Sequence, residues 1–175
     1  IKSKKWPNCN SFGLHGLPTW TDIGLAPIGF IVYLLFASIV TGLFTIFPWF
    51  NVEQVQEIGF STYLMGSDRI IAFITLVVIA PIAEEMIFRG WLYGKLKKSF
   101  NQIISSKASI AVSILLVSLL FGIVHLQWNV GINVFAMSIV LCGLREITGT
   151  IYSGIILHML KNGVAFYLLY ILGIS

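Results

Sequence analysis

Charge is what this chain has least of. Only 10% of its 175 residues are charged, where a soluble globular domain carries about 25%. Hydrophobic residues make up 57% of it, which excludes a soluble domain and places the chain in a membrane. Two cysteines, Cys9 and Cys142, are too few and too different in setting for a disulfide framework. Cys142 lies in an apolar run and reads as a core thiol. Basic residues are few and scattered, so the net charge of +4 points to positive loops rather than to nucleic-acid binding. Lys2, Lys4 and Lys5 precede no immediate apolar run, so the start lacks the form of a signal peptide. Internal repeats, low-complexity tracts and a second composition class are also missing. The first residue is Ile1, and the chain is read as a single membrane-embedded domain, residues 1–175, shortened at its N-terminus.

What is present is a set of apolar runs near the 20 residues that span a bilayer. They predict an all-α, polytopic membrane helix bundle of about five spans. The expected spans are Leu25 to Trp49, Arg69 to Tyr93, Ala108 to Gln127, Val130 to Leu144 and Thr150 to Leu172. Trp20 is an expected interfacial anchor, and Pro81 an expected kink. Loop charge sets an orientation. Lys2, Lys4 and Lys5 precede the first span, and Lys95, Lys97, Lys98 and Lys107 separate the second from the third. Glu53, Glu57 and Asp68 lie between the first and second. The positive-inside rule puts the N-terminus and the lysine-rich loop in the cytoplasm, and the protein in the cell membrane.

Against this background, polar groups inside the spans stand out. The stretch IIAFITLVVIAPIAEEMIFRGWLY (Ile70 to Tyr93) brings Glu84, Glu85 and Arg89 together in one apolar run. Ionisable groups at bilayer depth cost several kcal/mol unless paired or hydrated, and they mark functional sites. Glu85 and Arg89 are four apart and share a helix face, so they are expected to form an ion pair. Glu84 points about 100° away and needs a partner on another helix. His125 ends the third run, and His158 and Asn162 share a face of the fifth. Each of these alone is as well read as a helix-packing residue, and Phe121, four before His125, as packing. Together, such groups are expected to converge. At about 1.5 Å per residue from the lysine-rich end, Glu84 comes out about 16 Å deep, His158 about 12 Å and Asn162 about 18 Å. His125 comes out about 25 Å deep, a mismatch that a longer second helix or a lower start of the third would remove.

A carboxylate and an imidazole can take the proton of a water, while a second imidazole and an amide stabilise an oxyanion. This is equipment for peptide hydrolysis without a covalent intermediate. Ser118 and Ser153 lack the neighbours of a nucleophile. Two histidines and a glutamate also suit zinc, but no H-E-x-x-H pair is present. The expectation is therefore no metal and no cofactor.

The runs EEMIFRG (Glu84 to Gly90), FGIVH (Phe121 to His125) and HMLKN (His158 to Asn162) resemble the three motifs of the CAAX prenyl protease and bacteriocin-processing (Abi) family, E-E-x-x-x-R, F-x-x-x-H and H-x-x-x-N. They stand in the family's order, and ITGTIYSGIILH (Ile147 to His158) resembles its approach to the last motif. The resemblance covers residues 70–162. It implies an intramembrane glutamate protease acting on a membrane-associated peptide or protein, prenylated in the eukaryotic members. By motif position it implies that Glu84 and His125 activate water and that His158 and Asn162 form the oxyanion hole. Glu85, Arg89 and Phe121 would support them. Membrane lipid is the other expected partner. The rival readings are a non-catalytic immunity or scaffold protein of the same fold, and a proton-coupled transporter. The transporter is disfavoured by few helices and no repeats. Lys161, beside the last motif, is expected to snorkel to the cytoplasmic surface or, second, to meet a substrate carboxylate.

Overall fold

The computed structural model describes residues 12–51 and 65–173. The residues Lys2, Lys4, Lys5, Cys9, Glu53 and Glu57, on which part of the orientation argument rests, lie outside these. Five helices are long and apolar enough to cross a membrane: α1 (Trp20–Phe44), α2 (Gly66–Phe100), α3 (Ser106–Ile123), α4 (Trp128–Thr148) and α5 (Tyr152–Leu172). Among the described residues there is no strand. The protein is a multi-pass membrane helix bundle, as hydropathy predicts.

Helix ends differ from the hydropathy spans at several points. Helix α1 begins at Trp20 rather than Leu25 because Thr19 and Asp22 close a capping box. The Thr19 hydroxyl accepts from the Asp22 N–H at 3.2 Å, and the Asp22 carboxylate accepts from the Thr19 N–H at 2.8 Å. The other Asp22 oxygen accepts from Thr150 Oγ1 at 2.5 Å and Ser153 Oγ at 3.1 Å, which ties the start of α1 to the start of α5. Helix α1 stops at Phe44 rather than Trp49, and the chain turns back through Phe47, Trp49 and Phe50. Trp49 then meets Trp128 at the head of α4, 6.0 Å between ring centroids.

Helix α2 is 35 residues long, well beyond the expected end at Tyr93. Lys95, Lys97 and Lys98 therefore sit on its last turns rather than in a loop. Lys97 pairs with Glu146 of α4 at 2.7 Å. The extra length removes the depth mismatch between Glu84 and His125. Glu84 is about 24 Å from the Phe100 end, and His125 is about 28 Å from the Ser106 end. Two stretches of α2 are π-helical, Ile74–Ile79 and Met86–Leu92. They bracket Pro81 and the two glutamates. Such widened turns are rare and cluster at functional sites.

Helix α3 ends at Ile123, not Gln127. His125 thus lies in the turn after the helix, a correction to the expectation that it ends the span. The cause is Leu126, whose φ of 58° reverses the chain, followed by extended Gln127 at the start of α4. Just before this turn α3 and α4 cross closely. A Cβ on Gly122 would lie 2.7 Å from the Gly131 carbonyl oxygen, so only glycine fits. Helix α4 packs against both α1 and α3 and is the most enclosed span. The core between them holds Tyr33, Phe121, Met137, Leu141 and Leu157. The outer faces carry large apolar residues such as Ile31, Leu35 and Leu115, as contact with lipid tails requires. Cys142 is a buried free thiol beside Tyr93 and Val117, as its apolar setting predicts.

Candidate active site

Helix α2 brings the glutamates to the middle of the bundle, and α5 brings His158 against both. Glu85 is fully buried. Its Oε1 accepts from Arg89 Nη1 at 2.9 Å and from His158 Nδ1 at 3.0 Å. The i,i+4 ion pair expected from spacing is present, and it does a second job that spacing does not reveal. Because a carboxylate paired with arginine only accepts, Nδ1 of His158 must carry the proton. The other ring nitrogen, Nε2, then faces Glu84 Oε2 at 3.7 Å. That distance is too long for a direct hydrogen bond. It leaves the two groups side by side, with their polar atoms uncommitted to each other.

The two carboxylates differ as adjacent helix positions should. Glu85 faces inward with Arg89, while about a third of the Glu84 side chain (34%) is exposed. Glu84 Oε2 accepts no hydrogen bond from the described residues. Gly154, one turn before His158, leaves room for the Glu85 carboxylate. A Cβ there would stand 3.0 Å from Glu85 Oε2, so a side chain would press on the carboxylate.

His125 arrives from the α3–α4 turn. Its Nδ1 donates to the Phe121 carbonyl at 2.7 Å, which caps the end of α3 and leaves Nε2 as a lone pair. Phe121 is the hub. Its ring meets those of His125 and His158 edge-on, at centroid distances of 5.0 and 6.0 Å. The Arg89 guanidinium lies 4.3 Å from its centroid. Phe121 is fully buried and packs in the core, as expected, but it also sets the spacing of the two imidazoles. The charges of Glu84, His158 and Lys161 all act on His125.

Asn162 lies one turn beyond His158. Its Nδ2 donates to the Leu76 carbonyl of α2 at 2.9 Å, so one of its two N–H groups is engaged by backbone. Lys161 is half-buried and within the field of Glu84. Ser153 is bound to Asp22, and Ser118 is buried. Among the described residues, no three His, Cys, Asp or Glu side chains are grouped as metal ligands.

Sequence reasoning named the residues that meet here but not several of the links. The Glu85–His158 bond, the Gly154 contact and the Leu76 carbonyl join segments far apart in the chain. Only the four-residue step from Gly154 to His158 hints at any of them.

No curated protein and no solved structure matches the chain. Residues 66–164, from the start of α2 into α5, match the family described as Type II CAAX prenyl endopeptidase Rce1-like. That match spans more than half of the chain, and its bounds enclose Glu84, Glu85, Arg89, Phe121, His125, His158 and Asn162. The protein is therefore a multi-pass membrane member of the Rce1-like, type II CAAX prenyl endopeptidase family.

Proposed function

We propose that the protein is an intramembrane endopeptidase of glutamate type, which hydrolyses a peptide bond with a water activated by Glu84. The observation that carries this reading is the imidazole of His158 held between two unlike glutamates. Glu85 is neutralised by Arg89 and orients the ring. Glu84, 3.7 Å from Nε2 and partly exposed, with no hydrogen bond to Oε2 among the described residues, is the general base. Its carboxylate takes a proton from water, and the resulting hydroxide attacks the scissile carbonyl. His125, with a free lone pair on Nε2, assists in holding that water. With Nδ1–H committed to Glu85, Nε2 of His158 meets the carbonyl oxygen as a donor in the imidazolium form, which carries a proton on both ring nitrogens, and the second N–H of Asn162 joins it as oxyanion donor. The proton held by Glu84 then passes to the leaving amine. No metal or cofactor takes part in this scheme.

The surroundings fit a lipidated substrate. Ala83, Met86 and Ile87, next to Glu84, are exposed apolar residues, so a prenyl chain can approach from the lipid. Lys161 beside Glu84 suits the terminal carboxylate of a short C-terminal segment. The lysines at the Phe100–Ser106 end support a reading with that end, and with it the N-terminus, in the cytoplasm. The test is cleavage of a farnesylated, internally quenched CAAX peptide by protein in lipid nanodiscs. Release of the last three residues by the wild type and not by Glu84→Gln is expected. Equal turnover by both removes the glutamate mechanism. A well-folded wild type that cleaves no prenylated or membrane peptide favours a scaffold or immunity role.

A further inference from the structure

Pro81 interrupts the backbone bonding of α2 at a defined carbonyl. In the π-helical stretch Ile74–Ile79 the bonding pattern joins a carbonyl to the N–H five residues on, and its last such bond runs from the Ala80 N–H to Thr75. The next donor in this series belongs to residue 81, which is proline and has none. The donor an α-helical turn would supply to Leu76 is Ala80, already bound to Thr75. The Leu76 carbonyl is thus left without a partner in its own helix. Inside a membrane bundle such a group must be satisfied from elsewhere. Asn162 of α5 does so at 2.9 Å.

We infer that Pro81 is a positioning residue, whose missing N–H frees the Leu76 carbonyl to orient the Asn162 amide. An asparagine amide presents either NH₂ or oxygen to its surroundings, and the two ends have opposite chemistry. A carbonyl accepts only donors, so Leu76 selects the orientation with NH₂ turned toward α2. One N–H is spent on this bond, and the other remains on a donor end whose rotation is stopped. The amide oxygen, which would repel a developing oxyanion, is turned away from that end. Pro81, three residues before Glu84, thereby couples the base on α2 to the donor on α5. This assignment of Asn162 as a donor rests on the proposed hydrolytic reading. The link between Pro81, Leu76 and Asn162 does not.

The experiment compares wild type, Pro81→Ala, Asn162→Ala and the double variant, all full chain in detergent or nanodiscs. Asn162→Ala should lower Tm by about 5 °C, because it leaves the Leu76 carbonyl unbonded. In the Pro81→Ala background, where a backbone N–H is supplied, the same change should lower Tm by about 1 °C. In ¹⁵N spectra the Asn162 side-chain amide should show a shifted, exchange-protected proton in wild type and a free-amide pair in Pro81→Ala. With the farnesylated peptide, Pro81→Ala should lower kcat about tenfold and leave KM within about twofold. Equal Tm losses in both backgrounds would overturn the link to Leu76. Coupled Tm losses with an unchanged amide spectrum, or with wild-type kcat in Pro81→Ala, would overturn the positioning role. If the wild type cleaves nothing, the hydrolytic reading fails, while the Tm cycle and the amide spectrum still decide the inference.

Discussion

Arg89→Ala should destabilise the bundle through a stranded charge, and the size of the effect follows from the surroundings of the pair. Both Glu85 and Arg89 are fully buried. Removing the guanidinium deletes the 2.9 Å bond to Glu85 Oε1 and the stacking over Phe121 at 4.3 Å. Glu85 then keeps only His158 as donor among the described residues. Breaking a buried pair by removing one partner costs about 3–5 kcal/mol, most of it the uncompensated charge left behind. For a chain of this length that is a Tm drop of about 10 °C. The assay is thermal unfolding in a mild detergent, followed by helicity and by exposure of Cys142, which is buried in the native bundle. The companion variant is Arg89→Ala combined with Glu85→Gln, which still lacks the guanidinium but also removes the buried negative charge. If stranding dominates, the double variant recovers about half of the Tm loss. A normal Tm for Arg89→Ala would refute the buried pairing. A Tm equal to that of the double variant would refute the charge argument and leave packing over Phe121 as the cause.

Glu84→Gln should abolish peptide cleavage and shift Tm by less than about 2 °C, since Glu84 Oε2 makes no hydrogen bond to the described residues. An unfolded Glu84→Gln protein would show that this carboxylate is structural. Gly154→Ala places a methyl 3.0 Å from Glu85 Oε2 and should cost about 1–3 kcal/mol, read as a lower Tm with a displaced His158 resonance. Unchanged Tm and activity would mean that α5 moves away freely at this point. Purified protein should contain no stoichiometric zinc by elemental analysis and should keep its activity in excess chelator; one tightly held zinc per chain, needed for turnover, would replace the base by a metal-bound hydroxide. For orientation, Lys98→Cys in a background lacking Cys9 and Cys142 should react in intact cells with a permeant thiol reagent and resist an impermeant one added outside. Fast labelling from outside would invert the assignment.

Much of this protein is written locally and so is legible along the chain. Five apolar runs must become helices, because lipid offers no partner for an open backbone, and their lengths match the bilayer. The Glu85–Arg89 pair is a property of one helix and follows from a four-residue step. That Glu84, His125, His158 and Asn162 should seek one another follows from the poverty of other polar groups. Helix ends were less legible. The hydropathy of 93–100 falls with its lysines, yet α2 continues there, with Tyr93 buried and Lys97 paired with Glu146 of α4. His125 leaves the helix because Leu126 turns left-handed, a conformation that leucine does not advertise. Only the tertiary structure decided which glutamate His158 holds by Nδ1, and so which carboxylate keeps an oxygen without a hydrogen bond on the exposed side. Both lie within reach of His158, and α5 comes so close to α2 here that a Cβ on Gly154 would stand 3.0 Å from Glu85 Oε2. Only it decided the partner of Asn162 as well, because the Leu76 carbonyl is a backbone group freed by a proline five residues on. Backbone carbonyls have no letter in a sequence; they acquire a role when a second helix arrives to bond them.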